Sequence, residues 1–80
     1  MLPDDLNAKL RAAPFERFRI HLTDGTAYDI RHPESVLIGR RTAVIGVKEN
    51  PSQNYYDRFV TVALLHIVRL EPLEEAAAAG

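Results

Sequence analysis

The side chains best suited to chemistry in this sequence are basic and aromatic groups that lie near predicted bends and loops. Cationic groups contact phosphates and exposed rings stack on unpaired bases, so together they are typical of single-stranded RNA binding. The candidate RNA-binding residues are Arg31, His32, Arg40, Arg41, Tyr55, Tyr56 and His66. The alternative is that the arginines are solvated or paired with Glu34 or Glu49, and that the tyrosines lean on the rim of the fold. A formal net charge of -1 favours this alternative, because nucleic-acid binding requires a basic surface.

Catalysis and metal binding have little support in the sequence. The three histidines, His21, His32 and His66, lack the close spacing of metal ligands on one strand or helix, and the chain has no Cys. There is no Gly-x-Ser-x-Gly motif and no glycine-rich phosphate loop, while Ser35 and Ser52 lie in turn-like stretches. We therefore expect no enzyme activity, no metal and no cofactor.

The size and composition of the chain indicate one small domain. Its 80 residues, of which 46% are hydrophobic and 26% charged, exclude collagen-like, low-complexity and multidomain proteins. The longest nearly uncharged stretch, residues 59–68, is shorter than the roughly 20 apolar residues that cross a membrane. The lack of Cys is typical of a reducing compartment, and no signal-peptide pattern is present, so we expect a cytoplasmic protein without a membrane partner.

The chain divides into a helix at 1–14, a small β-barrel domain at 15–72 and a flexible, acidic and Ala-rich tail at 73–80. In the first segment, Asp4 or Asp5 is a candidate N-cap, and leucines four residues apart form a thin apolar stripe. A helix this short is marginal alone in water. The leucines are therefore expected to pack against the β domain.

Alternating apolar and polar residues predict five short strands in the β domain. Asp24-Gly25, between the first two strands, predicts a two-residue type I′ turn with positive φ at both positions. Pro33 interrupts the second strand, because proline cannot donate a hydrogen bond to a neighbouring strand. The predicted strands lie at 15–23, 26–31, 42–48, 58–65 and 67–71, with residues 35–38 as a candidate continuation of the second strand after a bend. The expected core is Phe18, Ile20, Leu22, Tyr28, Ile30, Ile38, Ile45, Val62, Ile67 and Leu70.

The last two predicted strands, at 58–65 and 67–71, have apolar residues at almost every position. A strand that is apolar on both faces requires cover on both faces, from a helix or from a second copy. Because the chain offers only one short helix, we expect a homo-oligomer, or a protein partner that pairs with an edge strand. The candidate interface residues are Val60, Val62, Leu64, Leu65 and Val68.

Two segments of the β domain resemble the motifs of the Sm-like (LSm and Hfq-type) family. Residues 20–26 resemble a strand followed by Leu-x-Asp-Gly, and residues 60–70 follow the apolar spacing of the second motif. The resemblance implies a mainly β fold, in which an N-terminal helix precedes a five-stranded, strongly bent antiparallel SH3-like barrel. Ala63-Leu64 replaces the Arg-Gly pair of the family's RNA pocket, whereas His66 lies close to the histidine of the Hfq branch. The sequence also resembles a group of short bacterial proteins, which implies a bacterial source.

Two functions are compatible with these observations. The first is a non-catalytic, self-associating small-barrel interaction module, which explains the apolar last strands and the nearly neutral charge. The second is an Sm-like RNA-binding protein. The first is favoured, because the second must explain the loss of the Arg-Gly pair.

Overall fold

The computed structural model describes residues 1–73, so the predicted tail lies outside the described residues from position 74 onward. The regular elements are helix α1 (Pro3–Arg11) and strands β1 (Phe18–Leu22), β2 (Ala27–Ile30), β3 (Val36–Ile38), β4 (Thr42–Val47), β5 (Arg58–Ala63) and β6 (Ile67–Pro72). Two 3-10 helices, Pro33–Ser35 and Leu64–His66, precede β3 and β6 respectively. The mainly β class and the N-terminal helix are confirmed.

The strands form two antiparallel sheets of three strands each, in the orders β2-β1-β6 and β3-β4-β5. The described residues therefore contain six strands where five were predicted, and their sheets do not close into a barrel. The reason lies in residues 35–38, the candidate continuation of the second predicted strand, which form a separate strand instead. Pro33 begins a 3-10 helix before it, so β2 joins one sheet and β3 joins the other.

The hairpin between β1 and β2 differs from the predicted type I′ turn. Gly25 has φ of +88°, but no other described residue has positive φ, so Asp24 does not adopt the conformation that a type I′ turn requires. The Leu22 N–H donates to Thr26 O at 2.9 Å, and the Gly25 N–H donates to Leu22 O at 3.0 Å. This is a three-residue loop in which the glycine forms a bulge. The Asp24 carboxylate accepts hydrogen bonds from the Thr26 hydroxyl and N–H, which lower the pKa of Asp24.

Helix α1 begins at least two residues earlier than the predicted caps, Asp4 or Asp5, allow. Leu2 occupies the N-cap position without a side-chain hydrogen bond, while Asp4 and Asp5 lie in the first turn. Pro3 accounts for this start, because its fixed φ suits the first helical position and its missing N–H is not required there. The helix packs on the β domain through Leu6, which is completely buried.

The core lies between the two sheets and α1. Six of the ten predicted core residues are buried: Phe18, Ile20, Ile30, Ile45, Val62 and Ile67. The other four are partly buried and pack against them: Leu22, Tyr28, Ile38 and Leu70. Four buried residues were not predicted: Leu6, Val36, Ala43 and Leu64. Among residues 1–73, no polar or charged residue is buried, so the core is entirely apolar.

We expect Ile20→Ala to lower the free energy of unfolding by about 2–5 kcal/mol, because the fully buried side chain would leave a cavity between the sheets. Urea denaturation measures the loss. Leu37→Ala removes a side chain of the same size that is 70% exposed, and its effect should stay within about 0.5 kcal/mol. Equal losses in the two variants would contradict the assigned core.

Candidate functional site

A cleft of about 620 Å³ opens between the two sheets, on the side where β2 faces the end of β4. This volume lies within the range of small-molecule and peptide-side-chain pockets, which is roughly 300–1,000 Å³. The lining residues from the first sheet and the segment after it are Arg19, His21, Gly25, Ala27, Tyr28, Asp29, Arg31, His32 and Ser35. Those from the second sheet and its loop are Ile45, Gly46, Val47, Lys48, Pro51, Tyr56 and Arg58.

Both walls of the cleft present backbone hydrogen-bonding groups. In β2, the hydrogen bond between Leu22 and Thr26 sets the alternation, so the N–H and C=O of Ala27 and Asp29 point away from β1. In β4, the Gly39 N–H donates a hydrogen bond to Thr42 O. The backbone N–H and C=O groups of the even-numbered residues of β4 therefore point toward β3. The first residue of β3 pairs with Ile45, so Gly46 lies one residue beyond the end of that pairing. The cleft therefore separates two strand edges that no strand among residues 1–73 joins.

Positive charge dominates the side chains of the cleft. Asp29 is the acidic lining residue, and its carboxylate is held by Arg19, through Nε at 2.6 Å and Nη2 at 3.3 Å. Arg31 Nη2 lies 3.6 Å from the same carboxylate. Lys48 and Arg58 stand on the opposite wall, and neither forms an ion pair with another residue in the described range 1–73. The cleft thus carries more cationic than anionic groups and suits an anionic ligand.

Tyr56 is held against the second sheet by three neighbours. A Cβ atom placed on Gly46 would lie 2.6 Å from Cδ1 of the ring, so the absence of a side chain at Gly46 lets the ring rest on β4. The Phe59 ring is 5.5 Å away and tilted by 55°, and Lys48 Nζ lies 5.1 Å from the ring centroid, within cation–π range. The ring of Tyr56 is therefore occupied by contacts within the chain.

The loop that carries Tyr56 is organised by Asp57. The carboxylate Oδ2 of Asp57 accepts hydrogen bonds from the Glu49 N–H at 2.7 Å and from Gln53 Nε2 at 2.8 Å. Its own N–H donates to Val47 O at 2.8 Å. These bonds close the loop across its base and fix the direction in which the chain enters β5.

A histidine–carboxylate pair lies beside the cleft. His21 Nε2 donates to Glu71 Oε1 at 2.8 Å, joining neighbouring positions of β1 and β6. This hydrogen bond lowers the pKa of Glu71, more than partial burial raises it. The charges of His21, Arg69 and Arg19 lower the same pKa further.

The predicted RNA-binding residues are divided among several surfaces. Three of them line the cleft: Arg31, His32 and Tyr56. Arg40 and Arg41 are exposed at the turn between β3 and β4, and Tyr55 is exposed on the loop before β5. His66 lies in a second depression beyond the first hairpin, where its Nδ1 is 3.4 Å from Thr23 Oγ1.

Sequence reasoning missed three cationic groups of the cleft: Arg19, Lys48 and Arg58. Strand alternation contained a signal for Arg19, because it lies between the buried residues Phe18 and Ile20 and must point outward. Lys48 and Arg58 flank the long loop between β4 and β5. Their approach to β2 depends on how the two sheets pack against each other. This packing cannot be deduced from the alternation of apolar and polar residues along a strand.

The predicted interface residues are also divided. Val62 and Leu64 are buried in the core, so their side chains are already covered within one chain. Val60 is half-buried. Leu65 and Val68 are exposed, at 78% and 58%. Val68 is left unpaired where the register between β1 and β6 shifts, and this bulge accounts for its outward position.

Residues 1–73 contain neither a cluster of metal ligands nor a helix that could span a membrane. No three His, Asp or Glu side chains in that range come together in a way that could hold a metal ion. Its single α-helix, α1, is too short and too polar to cross a membrane.

We expect His21→Ala to raise the pKa of Glu71 toward its ordinary value, because the substitution removes the hydrogen bond that lowers it. The side-chain carboxyl ¹³C shift, followed against pH, measures this change. In the unmodified protein, the hydrogen bond between His21 and Glu71 stabilises the folded state fully when pH is above the ordinary pKa of a glutamate. This stabilisation is lost as pH falls through the lowered pKa of Glu71 in the folded state. Asp24, whose pKa is lowered chiefly by Thr26, should not respond, and an unchanged Glu71 titration would contradict the assignment.

Gly46→Ala should destabilise the fold by about 1–3 kcal/mol, because the new methyl group collides with the Tyr56 ring. In a Tyr56→Ser background the same change should be neutral or stabilising, since Ala is favoured over Gly in a strand. Urea denaturation of the four proteins gives the coupling energy. The same loss in both backgrounds would show that the ring does not rest on Gly46.

The two segments that resemble Sm-like motifs occupy the first hairpin and the β5–β6 region. Residues 20–26 form the end of β1 and its turn, while residues 60–70 run from β5 through Leu64–His66 into β6. Comparison with protein-family models, with curated proteins and with solved structures finds no match to this chain. The Sm-like resemblance stays a prediction, whereas the predicted SH3-like closure is not present among residues 1–73.

Proposed function

We propose that this protein is a non-catalytic, small, mainly β interaction module that self-associates through the corner between β5 and β6. The supporting observation is that this corner exposes two apolar side chains, Leu65 and Val68, between two edge strands. Each of these strands is paired on one side only, β5 with β4 and β6 with β1. The corner therefore offers apolar area together with backbone groups that can pair.

The backbone register identifies the groups that are available. The Leu64 N–H donates to Arg41 O at 2.9 Å, which fixes the alternation of β5 and directs the N–H and C=O of Phe59, Thr61 and Ala63 away from β4. On β6, the bond from Leu73 N–H to Arg17 O directs the backbone of Leu70 away from β1. Pairing β5 of one copy with β6 of the next would satisfy both edges.

Such a contact would also cover the exposed leucine and valine. Burying an aliphatic side chain that is exposed in one copy contributes roughly 1.5–3 kcal/mol. Because β5 and β6 are different surfaces, the contact is head-to-tail, and repeated contacts of this kind form a ring if the rotation closes. By such association a small domain buries more apolar surface without a longer chain.

RNA binding, the alternative function, has less support from the geometry. Its candidate residues do not share one surface, since Arg40, Arg41 and Tyr55 lie outside the cleft. The Tyr56 ring, which would stack on a base, is half-buried and already contacts Gly46, Lys48 and Phe59. RNA binding stays a prediction.

The test is the mass in solution, measured by light scattering during gel filtration. The unmodified protein should be larger than its 9.0 kDa monomer at micromolar concentration, and Leu65→Ser with Val68→Ser should weaken association by roughly tenfold or more. Leu37→Ser is the matched control, because it is equally exposed but lies on β3. A monomeric unmodified protein, or dissociation by Leu37→Ser alone, would contradict this interface.

A further inference from the structure

We propose that the cleft between β2 and β4 binds an extended acidic segment of a partner protein, which is added as a strand between the two edges. The proposal concerns a different surface from the self-association corner and does not depend on it. It commits to a peptide with alternating acidic and apolar side chains. Four observations support this choice: the backbone edges, the charge, the apolar inner side of the cleft and the contacts that the Tyr56 ring already makes.

The backbone edges favour a peptide over any other ligand class. The N–H and C=O groups of Ala27 and Asp29 face the cleft from one wall, and those of Gly46 face it from the other. An extended peptide carries the same groups on both of its edges, in alternation. It is the ligand whose backbone can hydrogen-bond to both walls at once, as in other cases of β-augmentation.

The lining charges select an acidic peptide. The Asp29 carboxylate is already held by Arg19 and Arg31. Lys48 and Arg58, on the opposite wall, have no acidic partner among residues 1–73. Carboxylates at alternate positions of an inserted strand would lie on the outer face, where Lys48 can reach them, whereas Arg58 pairs with Val47 and lies on the face of Ile45 at the end of β5.

The inner side of the cleft selects apolar residues at the remaining positions. Ile45 is buried in the core and also borders the cleft, and Tyr28 is half-buried beside it. Successive side chains of a strand point to opposite faces. The side chains that alternate with the carboxylates would therefore point toward Ile45 and Tyr28.

The aromatic residues of the cleft do not favour nucleic acid. Base recognition in single strands relies on a ring with a free face. The Tyr56 ring rests on Gly46 and also contacts Lys48 and Phe59. Tyr56 is therefore a poorer stacking platform than a fully exposed ring, whereas the strand edges of the cleft offer backbone pairing.

The probe is a synthetic acetylated and amidated peptide of alternating Glu and Val, titrated into the full-length protein. Binding is measured by calorimetry and by the backbone amide shifts of Ala27, Asp29 and Gly46. We expect binding with shifts at these three amides. A second peptide with Lys in place of Glu should bind at least tenfold more weakly. No binding at millimolar Glu-Val peptide, or equal binding of the two peptides, would overturn the proposal.

Two matched variants test the position of the charges. Lys48→Glu with Arg58→Glu should weaken binding at least tenfold, because it reverses the charge of one wall. Arg40→Glu with Arg41→Glu makes the same change of charge at an exposed turn outside the cleft and should leave binding nearly unchanged. Equal losses in the two variants would show a general charge effect and overturn the assigned site.

Methylation of the peptide backbone separates strand addition from charge attraction alone. A Glu-Val peptide with N-methyl groups on alternate residues keeps its charge but loses the N–H groups of one edge, so its binding should be lost. Unchanged binding would overturn strand addition. An oligouridylate that shifts the same amides when the Glu-Val peptide does not would assign the cleft to RNA.

The same titration with the Leu65→Ser and Val68→Ser variant separates this proposal from self-association. The peptide should bind that variant as it binds the unmodified protein, because the two surfaces share no residue. If the variant folds but does not bind the peptide, the claim that a single chain forms the whole binding site would be overturned. Failure of the unmodified protein to self-associate, with peptide binding intact, would refute the proposed corner alone.

Discussion

The interruption of one strand at Pro33 is the constraint on which the rest of the structure depends. Because proline has no N–H and begins a 3-10 helix here, the chain leaves the first sheet after β2 and enters the second at β3. A continuous strand through this segment would have carried the pairing from β1 to β4. Its interruption leaves β2 and the end of β4 facing each other across a cleft.

The same topology leaves four strands at the edges of the two sheets. The two in the last part of the chain, β5 and β6, meet at the 3-10 helix Leu64–His66, which places Leu64 inside and Leu65 outside. One short turn therefore anchors the corner in the core and exposes an apolar side chain there. The bulge at Val68 extends the same exposed surface along β6.

Local patterns in the sequence predicted most of the fold, because the physics that decides them is local. The alternation of Phe18, Ile20 and Ile30 correctly identified buried positions, and Pro33 correctly marked an interruption. The turn type at Asp24 was predicted wrongly. The Asp-Gly pair fits both a two-residue and a three-residue loop, and the hydrogen bonds from Thr26 to Asp24 favour the second.

The features that were missed depend on packing between distant segments. Leu64 is buried because the 3-10 helix turns its side chain inward. It was predicted as an interface residue because the strand was expected to continue through it. The grouping of Arg19 with Lys48 and Arg58 requires the two sheets to meet at a particular edge. Neither spacing nor composition encodes that juxtaposition, so the cleft could not be predicted from the sequence.

The two kinds of open edge differ in chemistry, and this difference separates their partners. Cationic side chains border the cleft, so two copies of it would repel each other and could not pair edge to edge. The corner between β5 and β6 exposes leucine and valine, which gain free energy by contact with a similar surface. Pro72, whose missing N–H lies on the free side of β6, limits how far pairing can extend along that strand. One short chain can therefore bind a charged partner at its charged edge and bind copies of itself at its apolar edge.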